Sequence, residues 1–380
     1  MHVRIALLTS FALFSCQPAV KDTPDSGTPV ADASVELPDA GAKCPAYSHF
    51  EDGGCTSAIE WVQQPSIQGA RDHHGTYVFA SDAGATLVVI NGVDMAQGIA
   101  IWDTWSSRVV EHGFLSPWQR GPRPLFWAGG SGVDSYGNRI YSVSGQTIGM
   151  NGGENTPRVQ SLIINDDGTL KAWVEEKPLS GEGRFHITAT RVGRWLYALG
   201  GRTVTGRAMP EVWSAHIEDD GSLSDWSTAR AFPAPRTHHA SFAVGNRLYA
   251  LGGFDAETFT SQPLHYRDVL VATVDEATGA LGEWKSQPLP WNISTHSATY
   301  ADGYVYVVGG FDDQLQLLGN VRRAKVGEDG ALGPFEEFSP LLVPRAHVHH
   351  TPIHDGRLYT VGGNVGGHTT QDVVLVGLIY

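Results

Sequence analysis

The sequence predicts an all-β fold, a six-bladed β-propeller of four-stranded antiparallel blades, and two repeating patterns are the evidence for it. The first is a short phrase that occurs six times at intervals of roughly 50–57 residues, a spacing typical of propeller blades. Four copies are strong and two are weaker: Leu196–Gly201, Leu248–Gly253, Val305–Gly310 and Leu358–Gly363, then Leu87–Gly92 and Ile140–Gln146. A fixed period indicates that each unit buries its apolar face by stacking on its neighbours.

The second pattern is Gly-x-Leu-x-x-Trp, with Phe in place of Trp in one copy. It spans Gly113–Trp118, Gly168–Trp173, Gly221–Trp226, Gly279–Trp284 and Gly330–Phe335. The glycine suits a tight hairpin turn, and the aromatic side chain is expected to be buried between blades. Each unit therefore reads as four strands. The first begins near a segment such as Arg236–His239, the second carries the repeated phrase, and the fourth carries the aromatic residue.

The predicted ring is closed by the two ends of the propeller. The last unit has only three strands and ends with Asp372–Tyr380. The segment Thr56–Gln64 carries Trp61, which precedes Arg71–His74 as the other tryptophans precede their own first strands. We therefore expect this segment to supply the fourth strand of the last blade, which removes the open sheet edges.

These repeats resemble the kelch repeat and the central domain of galactose oxidase, over about residues 58–380. The resemblance rests on the double glycine, the Tyr three residues before it and the downstream Trp, as in Tyr249, Gly252 and Trp284. It implies a ring of four-stranded blades and a binding scaffold, with enzymes as a minority. Galactose oxidase chemistry uses a tyrosine cross-linked to a cysteine. Residues 58–380 contain no cysteine, so that cofactor is excluded.

The N-terminal part is expected to direct export. Residues 1–16 carry an apolar run, Ile5–Phe14, that is too short to span a bilayer and is typical of a signal peptide. Leu13–Cys16 resembles the bacterial lipobox, which implies a lipid on Cys16; ordinary cleavage nearby is the alternative. Residues 17–43 are predicted to be a disordered tether. Residues 44–57 are predicted to form a small loop bridged by a Cys44–Cys55 disulfide.

This organisation predicts a protein of the cell envelope, anchored by lipid to the outer membrane or the cell surface, or alternatively secreted or periplasmic. Its only membrane contact would be the lipid. The formal net charge of the 380 residues is −14, which argues against binding of nucleic acid. The propeller is expected to be a monomer, and no cofactor and no metal are predicted.

The candidate site is the end of the ring where the first strands begin and the second strands end, here called the channel-mouth face. Ligand contacts are predicted for His74, His186, His238, His239, His296, His349, Arg71, Arg236, Asp255 and Asp312. Matching positions are held by His73, His350, Arg123, Arg184, Arg345, Asp94, Arg202, Asp313 and Asn364. Two alternatives stay open: that the repeated His and Arg bond neighbouring blades, and that the histidines bind a metal. Adjacent strand residues point to opposite faces, so one histidine of each pair is expected to face the channel.

The sequence favours a binding module for an unknown protein or carbohydrate over an enzyme. No phosphate-binding loop, HExxH or GxSxG motif occurs, so no catalytic residues are predicted. The alternative is a carbohydrate-active enzyme of the mutarotase or epimerase type, which needs only a positioned acid and base. His238, His239, Glu154 and Asp255 would be its candidates.

Overall fold

A computed structural model describes residues 49–51, 54–56, 58–149, 152–367 and 369–379. The predicted signal peptide, Cys16, the tether and Cys44 lie outside the described residues. The lipid anchor and the disulfide to Cys55 therefore stay predictions. Within the described ranges no helix is long and apolar enough to cross a membrane.

Six four-stranded antiparallel sheets form the blades, as the sequence predicts. Blade 1 contains Gly75–Ser81, Gly84–Ile90, Thr104–Val109 and Gln119–Arg120. Blade 2 contains Gly132–Tyr136, Arg139–Val143, Val159–Ile164 and Leu170–Glu176. Blade 3 contains Thr188–Val192, Trp195–Leu199, Val212–His216 and Ser227–Thr228. Blade 4 contains Ala240–Val244, Arg247–Leu251, Asp268–Thr273 and Lys285–Pro288. Blade 5 contains Ser297–Ala301, Tyr304–Val308, Val321–Val326 and Leu332–Glu337.

Blade 6 joins the two ends of the propeller. Its first three strands are Ile353–His354, Arg357–Val361 and Val374–Ile379, and its fourth is Ile59–Gln64. The fourth strand runs antiparallel to the last strand of the chain, with Trp61 opposite Gly377. The sheet therefore has the composition that the sequence predicts, and its stability depends on both ends at once.

Short hairpins and one 3₁₀ turn lie outside the six blades of the ring. Four two-stranded hairpins are present: His49–Glu51 with Gly54–Thr56, Val93–Asp94 with Ile99–Ala100, Gln146–Gly149 with Gly152–Asn155, and Phe254–Asp255 with Leu264–His265. A 3₁₀ turn covers Glu111–Gly113. Three of the hairpins follow the second strand of a blade, so these loops are where the repeat departs most from its own pattern.

The hydrophobic core is divided into six clusters, and each lies between two adjacent blades. The tyrosine of the repeat belongs to them; Tyr249, for example, is fully buried against Phe242. Burying a side chain of this size stabilises by about 2 kcal/mol. Because the apolar contacts are made between blades, no single blade has a core of its own.

The same tyrosines form hydrogen bonds across the joints between blades. Their hydroxyls donate to the first glycine of the Gly-x-Leu-x-x-Trp pattern in the next blade: Tyr141 to Gly221 (2.6 Å), Tyr197 to Gly279 (2.8 Å), Tyr249 to Gly330 (3.0 Å) and Tyr359 to Gly113 (3.0 Å). The corresponding Tyr306 faces blade 6. There the outer strand comes from the other end of the chain, so that joint has no turn glycine to receive the hydroxyl.

The tryptophans tie five of the six blades to the one before, and blade 5 has Phe335 in place of tryptophan. Their indole N–H groups donate to carbonyls that follow or end the preceding fourth strand: Trp61 to Ser339 (3.4 Å), Trp118 to Pro65 (2.8 Å), Trp173 to Pro122 (3.1 Å), Trp226 to Lys177 (2.9 Å) and Trp284 to Arg230 (3.1 Å). The expected burial is confirmed for Trp173 and Trp226, whereas Trp61, Trp118 and Trp284 are half-buried. Trp61 makes the same contact as the others, as its place in the last blade requires.

The double glycine is a pair of left-handed residues, here called the left-handed pair. Both positions have positive φ in all six blades, including the weaker copies, where Asn91 (56°) and Ser144 (56°) replace the first glycine. The backbone N–H of the second residue of the pair donates to a carbonyl of the next blade, as from Gly253 to Ile293 at 2.7 Å. The two substitutes reach the equivalent carbonyls with their side chains, Asn91 to Ala128 at 3.4 Å and Ser144 to Arg184 at 3.0 Å.

We predict that Gly252→Ala lowers the free energy of unfolding by about 3 kcal/mol, because its Cβ would collide with the Ile293 carbonyl oxygen in a left-handed conformation. Gly245→Ala is the matched control: its φ is 56° and a Cβ there meets nothing within 4 Å, so about 1 kcal/mol is expected. Urea unfolding measures both. An equal loss of unfolding free energy in both variants would show that the contact with the next blade does not contribute to stability.

Candidate functional site

One backbone position per blade lines the axis of the ring. It precedes the first strand, has φ between 50° and 60° in every blade, and is held by His73, Gly130, His186, His238, Thr295 and His347. The residue before it forms a β-bridge with the residue after the left-handed pair in each blade, for example Thr237 with Phe254. This arrangement confirms that the two segments emerge at the same face. We call the position the axial position.

Five histidines meet at the axis. Four hold the axial positions of blades 1, 3, 4 and 6, and His349 follows one of them. Two pairs are stacked face to face, His186 on His238 with centroids 3.6 Å apart, and His73 on His347 at 4.2 Å. We call this group the axial histidines.

The proton positions in this group are partly fixed by Asp72. The Asp72 carboxylate Oδ1 lies 2.6 Å from His73 Nδ1 and accepts its proton. His73 Nε2 is then left with a lone pair, and it faces His186 Nε2 at 3.3 Å. In its neutral form, with Nδ1–H donating to this buried carboxylate, His73 offers Nε2 as an acceptor at the axis.

Burial keeps most of the axial histidines neutral. It lowers the pKa of His186, His238, His347 and His349 well below the ordinary value, and neighbouring His and Arg side chains lower it further. Neutral imidazole is the form that accepts a hydrogen bond or binds a metal. His347 and His349 remain half-buried.

Aromatic rings surround the axial histidines. Phe185 stacks on His73 at 5.6 Å and Phe254 on His238 at 4.5 Å. The guanidinium of Arg202 lies between Phe185 and Phe259, 4.8 and 4.4 Å from the two centroids, and burial lowers its pKa to about 9. No carboxylate of the described ranges pairs with Arg202. The wall is therefore apolar apart from one cation and Asp72.

The second histidine of each pair lies between blades. His239 Nε2 bonds Thr188 Oγ1 at 2.9 Å, and a Cβ on Gly252 would lie 3.2 Å from the His296 ring. His74 and His296 are buried, and burial lowers the pKa of each to about 3. His350 has its pKa lowered to about 4 by the same cause. These positions fit the alternative of a structural role.

The predicted arginines hold the turns of their own blades. Each guanidinium donates to the first carbonyl of the left-handed pair: Arg71 to Asn91 (3.0 Å), Arg236 to Gly252 (2.6 Å) and Arg345 to Gly362 (2.8 Å). Arg71 also pairs with Asp103 and Arg236 with Asp268, both at 2.8 Å. In these contacts the arginines act inside the ring and do not present their donors at the mouth.

Two further predicted arginines make other contacts. Arg184 is buried, 3.5 Å from the Glu211 carboxylate. Arg123 lies over the Trp102 ring at 3.8 Å.

The predicted loop residues divide into two groups. Asp94 is buried and accepts from Thr370 at 2.9 Å, and Asn364 is buried as well. Asp312 accepts two backbone N–H groups of its own turn, and Asp313 accepts from Asn292 at 2.6 Å.

Two further acidic residues of the loops remain accessible. Asp255 is half-buried, and burial raises its pKa. Glu154 is exposed. These two side chains, with Asp312 and Asp313, give the loops a negative charge.

His347 is an axial residue that the candidate set omits. The segment Arg345–His350 offers two registers, and the pair His349–His350 resembles the His-His pairs of blades 1 and 4. The arginine decides between them, since His347 stands two residues after Arg345, as His73 stands after Arg71. Counting from the arginine would have placed His347 at the axis.

Exposed aliphatic side chains are concentrated at the channel-mouth face. Among the residues that the structure describes, nine large hydrophobic side chains are exposed, and six lie in loops or connections at this face: Leu125, Val204, Leu264, Leu315, Leu342 and Val343. The other three, Val110, Phe114 and Tyr300, belong to the opposite half of the ring or its rim. The mouth is thus both the more apolar and the more variable end.

Comparison with known proteins supports the repeat type. The chain is similar to Kelch-like protein 33 of Homo sapiens, 28% identical over 178 residues, or 46% of this chain and 30% of that protein. It is similar to Kelch-like protein 41a of Danio rerio, 25% identical over 215 residues, or 53% of this chain and 33% of that protein. The tRNA wybutosine-synthesizing protein 2/3/4 of Arabidopsis thaliana is 34% identical over 122 residues, or 30% of this chain and 11% of that protein. The chain thus spans a third or less of these relatives. No family model matches it.

We predict that His296→Gln makes the free energy of unfolding less sensitive to acid. The unfolded histidine takes up a proton near pH 6.5, whereas burial lowers the folded pKa to about 3. Stability from this group is therefore present above pH 6.5 and lost as the pH falls below it, by up to about 1.4 kcal/mol per unit. Denaturant unfolding between pH 6.5 and 4 measures the slope. The exposed His112→Gln is the control and should keep the wild-type slope. A wild-type slope in His296→Gln would contradict the assignment.

Proposed function

Because this chain is a six-bladed propeller of kelch repeats, we propose that it is a binding module whose channel-mouth face holds the partner. We further propose that it is exported and held at the cell envelope by a lipid on Cys16. The observation that carries the binding proposal is the gathering of exposed aliphatic side chains on the variable loops of that face. Exposed apolar side chains that gather on the variable loops at one face of a repeat scaffold are a feature of interaction sites.

The chemistry of the loops favours a protein partner. The exposed side chains are leucine and valine, as in Val204, Leu264 and Leu315. Sugars are usually held on aromatic platforms, and aliphatic patches with a polar rim are typical of protein interfaces. The carboxylates of Asp255 and Asp312 on the same loops favour a partner surface that carries Lys or Arg. A carbohydrate remains the alternative ligand.

The enzyme alternative has less support. An acid and a base must lie within hydrogen-bonding reach of one substrate. Of its four candidates, His239 is engaged with Thr188 between blades. Glu154, Asp255 and His238 remain, and no hydrogen bond links them to one another within the described ranges.

We predict that Val204→Asp weakens partner binding at least about tenfold, because a charge would be placed in an apolar contact. Val110→Asp is a closely matched control: both valines are 48% exposed, and Val110 follows a third strand at the far end of the ring. The probe is the purified full chain on arrays of envelope proteins, peptidoglycan fragments and glycans. If both variants lose binding of the partner to the same extent, the channel-mouth face is not the binding site. Binding of glycans alone would favour the carbohydrate alternative, and no binding would reject the module.

We predict that the mature chain begins at a lipid-bearing Cys16, because Leu13–Cys16 resembles a lipobox. Mass spectrometry of the mature N-terminus in the native cell measures this. Cys16→Ser should release the protein into the soluble fraction, whereas Ser15→Ala should leave it membrane-bound. An unmodified first residue other than Cys16 would reject the anchor and leave the binding proposal unaffected.

A further inference from the structure

We propose that His73, His186 and His349 form a binding site for a divalent transition metal of the zinc class on the axis of the propeller. The proposal goes beyond a partner-binding function and does not depend on it. It rests on the mutual geometry of the three rings and on the carboxylate behind one of them.

The three rings converge as ligands of one ion must. Their centroids are 4.8 Å (His73–His186), 5.7 Å (His73–His349) and 5.3 Å (His186–His349) apart, with interplanar angles of 58°, 55° and 54°. Three imidazoles on a tetrahedral ion, with Zn–N near 2.0–2.1 Å, would place their centroids about 5 Å apart. The arrangement is close to threefold.

The nitrogen atoms have the spacing that coordination requires. His73 Nε2 and His186 Nε2 are 3.3 Å apart, and two ligand atoms on a tetrahedral zinc are separated by about 3.3 Å. One ring nitrogen from each of the three histidines lies within 4.8 Å of the others. His349 Nε2 and His186 Nδ1 are buried without a hydrogen-bond partner in the described ranges. His186 can thus shift its proton from Nε2 to Nδ1 and offer Nε2 to the ion.

Asp72 completes the arrangement as a positioning residue. Its carboxylate accepts the Nδ1 proton of His73 at 2.6 Å, which leaves Nε2 free to bind. Metal-bound histidines commonly have such a carboxylate behind them, and it raises the basicity of the ring. Asp72 also supplies a negative charge, whereas Arg202 is the nearby cation that acts on His186 and opposes binding.

The other axial histidines are less suited to the ion. His238 and His347 stack face to face on His186 and His73 at interplanar angles of 26° and 24°. His186, His238 and His347 also offer one nitrogen each within 4.8 Å of one another. Stacked rings direct their lone pairs side by side, however, so we assign the ion to the three mutually tilted rings. His349 is half-buried, and three protein ligands would leave a fourth coordination position for water or a ligand.

The test uses the purified full chain, stripped with chelator and titrated with Zn²⁺ or Co²⁺ alone. We expect one equivalent to bind, with the visible absorption of tetrahedral Co²⁺ and a raised Tm. His73→Gln, His186→Gln and His349→Gln should each weaken binding more than Asp72→Asn, for which roughly 10–100-fold is expected. His347→Gln and His238→Gln are matched controls from the same group and should bind within a few-fold of wild type.

Two outcomes would overturn the proposal. One is an absence of stoichiometric binding by the wild-type chain. The other is a loss with His347→Gln or His238→Gln equal to that with His349→Gln. Circular dichroism establishes that each variant is folded. X-ray absorption of the zinc-loaded wild type needs no variant, and a number of imidazoles other than three would also reject the site. No partner is present in any of these measurements, so their failure leaves the binding module untouched.

Discussion

The ring depends on a backbone contact between neighbouring blades. In each blade two consecutive left-handed residues turn an N–H or a short side chain toward a carbonyl of the next blade, as Gly253 does toward Ile293. The arginine of the repeat binds the same turn from the other side, as Arg236 does at Gly252. The apolar clusters can form between blades because these contacts hold them at one spacing. Around the axis the same contacts fix where each first strand begins.

The repeat made most of this architecture predictable from sequence. The spacing of Trp61 before its first strand was sufficient to place the closing strand, and the tryptophan contacts follow the repeated pattern. The details at the axis were harder. A left-handed residue leaves no signature of its own, and Gly130 and Thr295 occupy the axial position as well as histidine does. His347 was missed because two registers of Arg345–His350 look alike without the backbone geometry.

The axis of the propeller is polar, aromatic and largely uncharged. Burial favours neutral imidazoles, and stacking on Phe185 and Phe254 compensates in part for water that the rings have lost. Asp72 is the buried anion among them, and its bond to His73 is what keeps it satisfied. The variable loops lie directly above this group. Chemistry at the axis and recognition at the mouth can therefore be separate properties of one scaffold.

The axial position also bears on how such a ring can change over generations. Its φ is set by the flanking bridge and by the joint to the next blade, and the side chain contributes little to either. Glycine, threonine and histidine are all accommodated there. Each blade can thus exchange the group it presents to the centre by a single codon substitution or a few, without a change in the backbone of the other five. New sets of ligands at the axis can therefore be reached by changing one axial residue at a time.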